Sequence, residues 1–113
     1  MTIEELKEIL NKVYQKDTAH PKWRARWSKE NNTCGQCVPT ALVVQYYFGG
    51  EIYKHNNESH YFNVISGEVV DLTKEQFDYE LDYTNSRPKQ PDLHSPQTKE
   101  RYELLKKRVE NYK

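Results

Sequence analysis

The stretch from Cys34 to Gly50 constrains this chain more than any other, because a thiol-bearing turn runs directly into a compact apolar segment closed by two glycines. From Val38 to Phe48 only Thr40 and Gln45 are polar, the tyrosine hydroxyls aside. A run that short also fits a buried strand. Pro39 decides for a helix: its fixed φ and missing N–H suit a first helical turn and spoil a central strand. Gly49-Gly50 supplies the left-handed residue that commonly ends a helix. Being apolar around most of its circumference, this helix is expected to be surrounded by protein. Cys37 then sits at its N-terminus, where unpaired N–H groups and the positive end of the macrodipole favour a thiolate. The plainer alternative is that Cys37 fills space as a small apolar residue.

A chain of 113 residues is sized for one domain, 1–113, with a single core. Lys plus Arg and Asp plus Glu both total 17. With no net field, neither nucleic acid nor an anionic membrane surface is expected as a partner. Hydrophobic residues make up only 35% and there are nine tyrosines, so amphipathic aromatic side chains must supply much of the buried area. No apolar run approaches membrane-spanning length, and the acidic amphipathic N-terminus lacks the profile of a signal peptide, so a cytoplasmic location is expected. Two cysteines three positions apart do not make a disulfide framework. In a reducing compartment they read as catalytic, redox-active or metal-binding.

Thr2-Ile3-Glu4-Glu5 has the form of a capping box, and the apolar positions that follow predict an amphipathic helix over 3–16. Beyond Pro21, Trp23 and Trp27 would share a face if the segment is helical, either against the core or as a platform for a ligand. The polar loop 28–33 delivers the chain to the cysteines. Asn31, Asn32 and Gln36 are the candidates for a side-chain donor to an oxyanion, and Gln36, beside the nucleophile, is preferred. After a short strand at 51–54, the runs His60–Ile65 and Glu68–Thr73 flank Ser66-Gly67 and predict a hairpin. A two-residue loop pairs Ile65 with Glu68, Val64 with Val69, Phe62 with Asp71 and His60 with Thr73. His60 and Asp71 then share a face, diagonal to one another. A turn is expected at 74–77. Residues 78–98, with Pro88, Pro91 and Pro96, are expected to lack regular structure and to act as a lid or a variable loop. A final helix is expected from Thr98, with Tyr102, Leu105, Val109 and Tyr112 on its apolar stripe and Lys99, Arg101, Lys106, Lys107 and Arg108 on a solvated face.

A thiolate nucleophile needs a base and a group that orients the base. Cys37, His60 and Asp71 supply these in chain order. The sequence also resembles the YunG-like family of small bacterial proteins, related to the papain-like and transglutaminase-like (NlpC-type) cysteine fold. The matching residues are Gly35-Gln36-Cys37, Thr40–Gln45, Phe48–Ile52, His60–Asn63, Asp71-Leu72-Thr73, Gln76-Phe77 and Arg101-Tyr102-Glu103. It departs from the family pattern at Phe62, usually Trp, at Tyr47, usually acidic, and in the additional Cys34. The resemblance implies an α+β fold in which a Cys-bearing buried helix packs on a small antiparallel sheet between N- and C-terminal helices. It also implies Cys37, His60 and Asp71 as a triad.

The expected activity is hydrolysis or transfer at an amide or thioester-like acyl bond of a peptide, protein or small acyl substrate, with Gln36 supporting the oxyanion and no cofactor or metal required. A non-catalytic binding protein that keeps the fold is the alternative. Two weaker readings remain: zinc held by Cys34, Cys37, His55 and His60, whose spacing does not fit a finger, and a redox dithiol at Cys34 and Cys37, which lacks a surrounding β-α pattern. Shared architecture names no substrate, and the residues do not specify an oligomeric state.

Overall fold

The computed structural model describes every residue, 1–113. Helix α1 spans Ile3–Val13, α2 Cys37–Phe48 and α3 Pro96–Tyr112. Strands β1 Glu51–His55, β2 Tyr61–Ile65, β3 Glu68–Val70 and β4 Ser86–Pro88 form one antiparallel sheet in the order β3-β2-β1-β4. Three short 3-10 turns, Lys16–Thr18, Pro21–Arg26 and Lys74–Gln76, complete the α+β fold. No helix is long and apolar enough to cross a membrane.

Helix α2 is enclosed from two sides, as its composition requires. Val43 and Val44 join Leu6, Leu10, Val13 and Tyr14 from α1 and Leu105 and Val109 from α3 in the larger core cluster. Ala41 and Leu42 turn the other way onto Ile52 of β1. Asn63 of β2 ties sheet to helix, donating from Nδ2 to the Ala41 carbonyl at 2.9 Å. Gly50 (φ +80°) permits the tight exit from α2, since a Cβ there would lie 2.6 Å from the Val64 carbonyl oxygen.

Thr2 and Glu5 form the capping box of α1, which ends at Val13 rather than 16 because Tyr14 leaves the helix. Tyr14 is buried and its hydroxyl hydrogen-bonds Thr40 Oγ1 at 2.6 Å. The hairpin has the expected register, with Ile65 opposite Glu68 and Val64 opposite Val69. Ser66 (φ 51°) and Gly67 (φ 80°) are both left-handed, as a two-residue primed turn demands. β3 stops at Val70, so Asp71 lies just beyond the ladder.

Residues 78–98 are more ordered than expected. Ser86–Pro88 adds an edge strand to β1, where a proline is tolerated because its missing N–H faces away from the ladder. The tryptophans part company: the 3-10 turn ends at Arg26, Trp27 packs against the main core with Nε1 donating to Asn32 O at 2.8 Å, and Trp23 faces a cleft. In α3 the buried line is Arg101, Leu105 and Val109, so Arg101 is not on the solvated face.

Candidate active site

Cys37 opens α2, and the turn before it depends on Gly35. At φ +72° this residue is left-handed; its carbonyl accepts from His20 N–H at 2.9 Å, and a Cβ would come within 3.1 Å of both His20 N and Trp23 Cβ. The first turn of α2 offers Cys37 and Val38 N–H groups without helical acceptors. Cys37 is buried yet lines a cleft of about 460 Å³, with Sγ 3.8 Å from the Ser59 carbonyl oxygen.

His60 lies immediately before β2 and is fully buried. A carboxylate only accepts, so Nε2–H donates to Asp71 Oδ2, at 2.7 Å. Tyr83 donates its hydroxyl to the same oxygen at 2.8 Å, and Thr73 N–H donates to Oδ1 at 3.2 Å. Asp71 is thereby fixed in place. On the other side of the ring, the Gln76 amide meets Nδ1 at 3.1 Å and donates to Thr73 Oγ1 at 3.2 Å. That contact serves both protonation states, since a half-turn of the amide exchanges donor for acceptor. Phe77 packs edge-on to the imidazole at 4.9 Å.

Burial of His60 opposes its charge, but the hydrogen bonds of Asp71 and Cys37 and their negative charge outweigh it, and the imidazole pKa is raised to about 9. The ring is therefore protonated at neutral pH. Tyr83 is pushed up by burial and by Asp71, which keeps its hydroxyl a donor.

The cleft is further lined by His20, Lys22, Trp23, Lys54 and Tyr61, by the first turn of α3, and by Arg101. Arg101 is 4% exposed, and its Nε and Nη1 are buried with no hydrogen-bond partner. A larger hollow of about 660 Å³ follows residues 74–83 but is lined by none of Cys37, His60 or Asp71.

The expected members Cys37, His60 and Asp71 thus come together, while Gln36 does not point where it was expected. Its side chain is fully buried and Nε2 donates to Gln15 O at 3.0 Å, so it anchors the cysteine turn to the end of α1 instead of facing the cleft. Asn32 donates to Asn11 O at 3.1 Å and Asn31 to Arg26 O at 3.4 Å, as loop residues do. Cys34 is a free, buried thiol near Trp23 O, raised first by burial, with Arg26 acting in the opposite sense. The proposed zinc set does not gather: no three His, Cys, Asp or Glu side chains are placed to hold a metal, and His55 Nδ1 instead accepts from Asn57 N–H.

The sequence places Thr73 on the face of His60 and Asp71 without a role for it, and does not point to Tyr83 or to the structural role of Gln76. The placement of Tyr83 and Gln76 follows from the chain folding back over the sheet, for which there is no periodic signal. Arg101 did carry one, since it stands four residues before Leu105 and eight before Val109 on the buried line.

The YunG protein family model matches residues 2–113, and the chain belongs to that family. It is 34% identical over 106 residues to the uncharacterized protein YunG of Bacillus subtilis (strain 168), covering 92% of this chain and 88% of that protein. No solved structure matches it.

Proposed function

We propose that this YunG family member is a cysteine-dependent acyl-transfer enzyme, a hydrolase or acyltransferase of peptidase or amidase type, built on a papain-like fold. The observation that carries this is the fully buried His60, held by Asp71 at 2.7 Å and next in sequence to Ser59, whose carbonyl meets the Sγ of the cleft-lining Cys37 at 3.8 Å. A structural cysteine needs no such neighbour. A Cys-bearing helix packed on an antiparallel sheet, with the histidine at the entry to β2, supports the papain-like assignment.

In this reading the Cys37 thiolate attacks the substrate carbonyl carbon and forms the C–S bond, and the carbonyl electrons move onto oxygen. The main-chain N–H of Cys37 stabilises that oxyanion at the positive end of α2. Collapse breaks the bond to the leaving amine or thiol, which takes the proton from His60 Nδ1, the nitrogen that Asp71 does not hold. Water or an acceptor amine then gives a proton back to His60 as it attacks the thioester, and Cys37 leaves as thiolate. Asp71, braced by Tyr83 and Thr73, keeps the ring in the required tautomer. Gln36 contributes by fixing the turn that presents Cys37.

The test is the pH dependence of iodoacetamide labelling at Cys37 in a Cys34→Ser background, with and without His60→Ala. Labelling that stays fast well below the free-thiol pKa of about 8.5, and slows at least about tenfold without His60, is the expected result. Slow labelling indifferent to His60 would make Cys37 a packed core residue and the fold a binding module.

A further inference from the structure

Across the whole chain, only three buried side-chain nitrogen or oxygen atoms lack a partner, and two of them belong to Arg101. None of the four ion pairs involves it. A guanidinium removed from water and left unpaired is costly, and native chains rarely keep one without a use for it.

Its surroundings say what is missing. The chain as a whole carries equal numbers of acidic and basic side chains. The cleft does not: Lys22, Lys54 and Arg101 line it, and no Asp or Glu does. Gln97 and Thr98, in the first turn of α3, line the same space and bring N–H groups without helical acceptors toward it. Side chains on a helix lean toward its N-terminus, so Arg101 reaches back over that turn. Arg101 and Cys37 line the same cleft, and burial pushes the Arg101 pKa down while the charge of Cys37 opposes that shift.

We propose that the cleft takes acyl substrates bearing a carboxylate a few bonds from the reacting carbonyl, with the Arg101 guanidinium and the first turn of α3 binding that carboxylate beside Cys37. The planar fork of an arginine matches a carboxylate bidentately, which a lysine does not. Lys22 and Lys54 add a field that draws the anion in. Arg101 is thereby a specificity-determining residue. The inference rests on the reading of Cys37 as nucleophile, and it names the class of acyl group offered to it.

Two alkylating probes of nearly equal size separate the two claims. In the Cys34→Ser background at neutral pH, Cys37 is labelled with iodoacetate and with iodoacetamide, and the ratio of rates is divided by the same ratio for glutathione. The expected normalised preference for iodoacetate is about tenfold or more, the scale of one charge-assisted bidentate contact, with saturation and with protection by glutarate. Arg101→Gln should return the ratio to that of glutathione, since any effect of the lost cation on the thiolate is common to both probes and cancels in the ratio. Arg101→Lys should keep part of the preference.

A wild-type ratio equal to that of glutathione would overturn the proposal without any variant having to fold. So would an Arg101→Gln protein in which both probes slow equally, since Arg101 would then act on the thiolate and not on a ligand. If iodoacetamide labelling is fast and His60-dependent but shows no preference for the anion, the carboxylate site fails and the catalytic reading stands. If both probes are slow and indifferent to His60, both fail together.

Discussion

Two arginines two turns apart on α3 have opposite fates. Arg108 is partly exposed and binds Asp17 through both terminal nitrogens, each at 2.7 Å. Arg101 is buried and binds nothing. Selection for stability alone would reverse this arrangement, since water already satisfies an exposed guanidinium and a surface pair adds little. The helix has a stabilising half, where Leu105 and Val109 seat against α1 and α2, and a half where stability is given up to keep a cation at the cleft. His60 belongs to the second half of that division but differs from Arg101 in having its counterion built in.

The sharpest way to test the division is to titrate the buried cation that does have a partner. The His60 pKa rises from 6.5 to about 9 on folding. The proton is held more tightly by the folded chain, so the stability it contributes is complete below pH 6.5 and is lost as pH rises through about 9. Urea midpoints should therefore fall across that window, with a slope of at most about 1.4 kcal/mol per pH unit for one proton. Asp71→Asn should flatten the slope. A midpoint that does not change with pH in the wild type would remove His60 from the comparison.

Arg101→Met comes next and has the opposite sign. Replacing an unpaired buried cation by an apolar side chain of similar length should raise stability by about 1–3 kcal/mol in urea melts. A loss of that size would mean that Arg101 supports the fold and that the two arginines do not differ as described. The smallest effect belongs to Arg108→Ala, expected to cost less than about 1 kcal/mol and to shrink further in high salt. A larger, salt-independent loss would move Arg108 into the structural frame.

The parts of this molecule that could be read from its sequence are those governed by local rules. Pro39 and Gly49-Gly50 bound α2, Thr2 and Glu5 start α1, and Ser66-Gly67 sets a register that carries Asp71 to His60. What escaped depends on where distant segments meet. β4 is three residues long, ends in Pro88, and exists only because β1 offers an edge. Tyr83 and Gln76 reach the site because the chain after β3 folds back over His60. Gln36 adjoins the nucleophile in sequence, yet its amide is drawn to Gln15 at the end of α1. Arg101 was assigned by its charge to a solvated face when its position on the helix said otherwise, because an unpaired buried arginine contradicts the rule that sorts charges outward.

The cleft gathers His20, Cys37, Gln76 and Arg101, with His60 and Asp71 behind them, so its members are drawn from most of the length of the chain. On the ribosome, Cys37 emerges long before α3, and α3 supplies both the guanidinium and part of the apolar cover of α2. A nascent chain that stops short of α3 lacks the Arg101 guanidinium and part of the cover of α2. The cleft is therefore complete only once α3 has docked on α2.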